Sequence, residues 1–134
     1  MKIIIISVLS SMLSMALIDA IWLKTMFSRF YSPNIGHLLA DTPKLIPAII
    51  FYILFAVALT VFVILPALAS DSTLLKTFVF GAFFGMITYA TYDLTNHATM
   101  KDWPAIVSVV DIIWGSVLTG LVSVCAVTIT KFFS

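Results

Sequence analysis

Three aspartates lie where an apolar chain should not carry them. Asp19, Asp93 and Asp111 fall in or at the ends of hydrophobic runs, each long enough to cross a bilayer. An ionisable group at membrane depth is costly and marks function by default. Tyr89, Asp93 and His97 recur at intervals of four, which puts them on one face of a helix. The pattern Asp-x-x-Trp occurs at Asp19/Trp22 and again at Asp111/Trp114. Each acid therefore has an indole one turn away, able to exclude water or to accept a cation over its face. Carboxyls withdrawn from water can hold and pass a proton. With a histidine nearby they can also act as general acid and base. The candidate catalytic set is Asp19, Asp93, Asp111, His37 and His97, and the candidate ligand-binding set is Trp22, Tyr89, Tyr92, Asn96 and Trp114.

Other chemistries are poorly supplied. His37 and His97 offer two nitrogen donors, but no His-x-x-x-His or His-Glu pair sits on one helix, so metal and cofactor stay unassigned. No serine adjoins a histidine in a nucleophile arrangement. A retinal-type Schiff base needs a lysine deep in a span, and Lys24 stands at an end. Cys125 is the single cysteine, so no internal disulfide forms, and its apolar setting reads as packing.

The elements that must position these residues are four apolar spans, about 3–23, 45–68, 73–96 and 104–130. Lys2 and the run Ile3 to Ile18 look like the start of a signal peptide, but the apolar run continues past Asp19 to Trp22, so the helix is expected to be retained. Ser7, Ser11 and Ser14 form a stripe of small residues that suits close helix packing. Residues 24–44 mix aromatics with Lys24, Arg29 and His37, as an interfacial segment would, with Ser32-Pro33-Asn34 expected to break it. Thr42-Pro43 is expected to start the second span and Asp71-Ser72 to cap the third. Pro66 should end or kink the second span, whose one polar handle is Tyr52. Gly81 and Gly85, and Ser116 and Gly120, offer small-residue faces.

Composition supports this reading. Of 134 residues, 62% are hydrophobic and 10% charged, more apolar surface than a soluble domain of this size can bury. The net charge of +1, with no basic patch, argues against a nucleic-acid partner. The fold expected is all-α: an antiparallel four-helix transmembrane bundle, with membrane lipid as its surroundings and homodimer formation through the small-residue faces. Spans one and three then end where spans two and four begin, so the aspartates gather near one membrane face. Lys2, Lys76 and Lys131 lie on one side against Lys24, Arg29, Lys44 and Lys101 on the other. That difference leaves orientation nearly undetermined, with a lean towards cytoplasmic termini.

Blander roles compete at each position. Asp93 and Asn96 can solvate a helix end, and tryptophans commonly anchor at interfaces, the favoured reading of Trp103. Asp19 and Asp111 sit a turn or more inside their spans and fit that reading least, although a buried hydrogen bond holding the bundle together would account for them.

Tyr92-Asp93-Leu94-Thr95-Asn96, Ala98-Thr99, Trp103-Pro104 and Asp111-Ile-Ile-Trp114-Gly115 resemble a group of small bacterial membrane proteins known only as domain of unknown function 2177. Asp19-Ala-Ile-Trp22, Tyr31 and Gly36-His37-Leu38-Leu39-Ala40 resemble its first half. The resemblance covers essentially the whole chain and implies a four-helix protein of the bacterial inner membrane, with no reaction attached. The residues themselves suggest a pocket for a lipid headgroup or small amphiphile, whether binding it only or modifying it. A small proton-coupled transporter acting as a homodimer and an accessory subunit of a larger membrane complex are the alternatives.

Overall fold

In lipid a backbone has no water to bond, so long apolar runs must satisfy their own N–H and C=O groups as helices. The computed structural model describes all residues, 1–134, and follows that rule. Of 105 backbone hydrogen bonds, 97 lie within helices, which leaves little irregular backbone exposed to the bilayer. The chain forms α1 (Lys2–Leu38), α2 (Leu45–Ala69), α3 (Leu74–Thr99) and α4 (Ala105–Phe133), each long and apolar enough to span a membrane, and no strand. Several boundaries differ from expectation. α2 starts at Leu45 without a side-chain cap, so Thr42 and Pro43 lie outside it. α3 is capped by Thr73, whose hydroxyl accepts from the Lys76 N–H at 3.1 Å. Asp71, the expected cap, instead takes a left-handed turn with φ 48° and pairs with Lys131 at 2.6 Å.

α4 is the spine. Its residues Leu118, Val122 and Val127 meet Met15 of α1 and Leu59 and Ile64 of α2 in the main core. The antiparallel α3–α4 contact is unusually close because glycines face it. A Cβ on Gly85 would collide with the Gly115 carbonyl, and one on Gly120 would come within 2.6 Å of the Phe78 ring. The small-residue positions Gly81, Gly85 and Gly120 are therefore engaged inside the bundle, not turned outward to a second copy. α1 packs antiparallel on α4 through buried Ser7, Ser10, Ser11 and Ser14, with Ser7 and Thr130 hydroxyls 3.1 Å apart.

At about 1.5 Å per residue, α1 would measure ~55 Å if straight, far more than the ~30 Å hydrocarbon core. It bends instead. Between Asp19 and Tyr31 a straight helix rises ~18 Å, yet their partners on α4, Trp114 and Asp111, are only ~4.5 Å apart along the axis. The difference is absorbed at a π-helical turn, Phe27–Tyr31, which opens with Met26 at φ -101°, ψ -16°. Ser32-Pro33-Asn34 does not break the helix: the chain stays helical through Pro33, which directly follows the π segment. Of the stretch 24–44 expected as an interfacial connector, residues up to Leu38 are helical and continue α1, with Tyr31 and Ile35 packed on Trp103 and Val107 over the end of α4, and 39–44 form the link to α2. α2 also carries a π-helical turn, Thr60–Ile64, immediately before Pro66, and runs on to Ala69.

Candidate functional site

The end of the bundle away from Met1 and Ser134 gathers nearly all of its buried aromatic and acidic side chains. Asp19 is 8% exposed and uses both oxygens: Tyr52 Oη of α2 donates to one at 3.0 Å and Trp114 Nε1 of α4 to the other at 3.1 Å. One carboxylate therefore ties three helices together. Trp22, one turn beyond Asp19, stacks face to face on Trp114, with ring centroids 4.2 Å apart and planes 5° from parallel. The two Asp-x-x-Trp patterns thus form a double-indole wall.

A second chain of bonds crosses the mouth. Trp22 Nε1 donates to Tyr31 Oη at 3.0 Å, and Tyr31 Oη donates to Asp111 Oδ1 at 2.7 Å. The bent end of α1 is held down by these bonds. Trp103 is no interface anchor. It is 7% exposed, its Nε1 donates to Ser108 Oγ at 3.0 Å, and Ser108 donates to the Asp93 carbonyl at 3.2 Å.

Asp93 differs from its neighbours. It is 0% exposed, and neither of its carboxyl oxygens accepts a hydrogen bond from any N–H or hydroxyl of the protein. The group beside it is the Asp111 carboxyl. Two carboxylates offer each other only acceptors, so a donor must come from a shared proton or from a guest. Both line a chamber of about 210 Å³ with Asp19, Trp22, Tyr31, Tyr89, Tyr92, Trp103 and Trp114. No Lys, Arg or His lines it. With no counter-charge in the lining, the two acceptor groups suit a guest that is cationic and donates hydrogen bonds.

Of the residues singled out by sequence, Asp19, Asp93, Asp111, Trp22, Tyr89, Tyr92 and Trp114 share this chamber. His37, His97 and Asn96 do not line it, and both histidines are exposed. His97 continues the Tyr89–Asp93 face, but its position one turn further, ~6 Å, carries it past the rim. No group of three His, Cys, Asp or Glu side chains is placed to hold a metal ion. Tyr31, Tyr52 and Trp103 were missed as site residues. The available signal was a matching one: buried carboxylates need donors, and on apolar segments only Tyr, Trp and hydroxyl side chains supply them.

No curated protein and no solved structure matches this chain. A family model described as a predicted membrane protein matches residues 4–128, and with this four-helix architecture the chain belongs to that family, domain of unknown function 2177.

Proposed function

We propose that this protein binds the polar headgroup of a membrane amphiphile in the chamber at one end of its bundle. The observation that supports this most is Asp93, fully enclosed with both carboxyl oxygens unpartnered. Buried polar groups without partners are rare in native proteins and ask for a donor. The chamber offers one from a guest while its aromatic walls cover the guest's apolar part. We place the protein in a bacterial inner membrane with both termini in the cytoplasm, so that the chamber lies near the outer face.

The test is lipid retention. Wild-type protein and the Asp93→Asn/Asp111→Asn variant are purified in mild detergent and their bound lipids extracted for mass spectrometry. One lipid class should accompany the wild type and fall about tenfold or more in the variant, the effect of losing a charge-assisted contact. Equal lipid content in two folded proteins would remove the proposal.

A further inference from the structure

We infer that the chamber opens sideways to the bilayer between α2 and α3, and that its guest is a single-chain amphiphile carrying a primary ammonium group. This rests on the headgroup-binding reading and specifies it.

The path comes first. A second cleft of about 310 Å³ lies between α2 and α3, lined by Phe51, Thr88, Tyr89, Tyr92 and Asp111. Tyr89, Tyr92 and Asp111 also line the chamber, so only these three side chains stand between the two spaces. α2 is held here by little beyond the Tyr52–Asp19 bond: from Leu45 to Leu54 every other residue is exposed. The Phe55–Phe84 edge contact, centroids 5.6 Å apart, closes the gap further along. On the α1 side, Tyr31 and the indoles bond across the chamber, and exposed Leu23, Phe27 and Leu39 form its rim. At about 210 Å³ the chamber is smaller than the ~300–1,000 Å³ of ordinary ligand pockets. The cleft supplies room for a chain, with an apolar lining where it meets lipid.

The headgroup follows from charge and donor count. Asp93 and Asp111 present acceptors and negative charge, and no cation lines either space. A phosphate or carboxylate headgroup would be repelled. A quaternary ammonium brings charge but no N–H for the unpartnered Asp93 oxygens. An –NH₃⁺ group brings both, with three donors to share between the carboxyls. The Trp22–Trp114 stack adds an aromatic surface for the cation.

The test uses protein in phosphatidylcholine nanodiscs, titrated with dodecylamine, butylamine and dodecanol, with binding read from the shift in unfolding temperature. Dodecylamine should bind at least about tenfold more tightly than dodecanol, and Asp93→Asn/Asp111→Asn should erase that preference. Asp93→Asn alone serves if the double variant does not fold. Thr88→Phe, which fills the cleft and leaves the chamber, should weaken dodecylamine about tenfold and butylamine less than about twofold. Equal dodecanol and dodecylamine binding, both lost in the aspartate variant, would overturn the ammonium and keep the headgroup site. Dodecylamine binding that ignores Thr88→Phe would overturn the lateral path. Wild type that binds none of the probes, or binding unchanged by the aspartate variant, would end both this inference and the reading beneath it.

Discussion

At the scale of single residues, two aspartates of the same type do opposite work. Asp19 accepts one bond on each oxygen, from Tyr52 and Trp114. Asparagine has one acceptor oxygen, so Asp19→Asn leaves one buried donor unpaired, at a cost of about 1–3 kcal/mol. Asp93 has no donors to lose. Asparagine there supplies an N–H to Asp111, so Asp93→Asn should cost less stability than Asp19→Asn. Thermal unfolding in one detergent compares the two. A larger loss for Asp93→Asn than for Asp19→Asn would mean that Asp93 is the strut. The acids themselves were legible in the sequence because charge is so rare in an apolar span. Their donors were not. Tyr52 belongs to a helix distant in sequence, and Tyr31 reaches Asp111 only because α1 bends.

At the scale of elements, the spans were legible because lipid leaves an apolar backbone no alternative to helix. The bend was illegible because no Gly or Pro marks Phe27–Tyr31; Pro33, the residue that looked like a breaker, comes just after it. If the bend is held by the Trp22–Tyr31–Asp111 bonds, Tyr31→Phe should free the end of α1 without unfolding the bundle. Loss of a charge-assisted bond of about 1.5–3 kcal/mol corresponds to about tenfold or more faster amide exchange across 27–38. Exchange in the middle of α3 and α4 should not change. The α3–α4 contact depends on the opposite property, the absence of side chains. Gly85→Val would press on the backbone of Gly115 as well as Thr119. Pushing these helices apart should cost about 1–3 kcal/mol and widen the chamber above them. That loss should appear as a lower midpoint in thermal unfolding.

At the scale of the whole molecule, the two ends are built differently. The chain-terminal end carries an exposed pair, Lys131 with Asp71. The ammonium holds the Asp71 carboxyl below its ordinary range. A lowered acid stabilises the fold above its unfolded pKa and loses that contribution as pH falls through the lowered value. Asp71→Asn should therefore matter slightly at neutral pH in low salt. In high salt, where exposed pairs are screened, or at strongly acid pH, the two proteins should unfold at the same temperature.

Between that end and the chamber the interior is polar in a particular way. Ser11, Thr77, Thr119 and Ser123 are buried, and each hydroxyl donates to the carbonyl four residues earlier in its own helix. Such hydroxyls are already satisfied and serve close packing. They are poorly placed to hand a proton from Asp19 or Asp93 to the far face. No titratable side chain lines the core below Asp19; the buried polar residues there are serines and threonines. Alternating access requires carboxyls that both faces can reach, and here all three line one chamber near one end, with only Asp111 also lining the α2–α3 cleft. Proteoliposomes with an imposed pH gradient should thus show no proton flux above protein-free vesicles, with or without dodecylamine. A flux present in wild type and absent in Asp93→Asn would establish the carboxyl pair as a proton carrier, and the chamber would then be one station of a transport path.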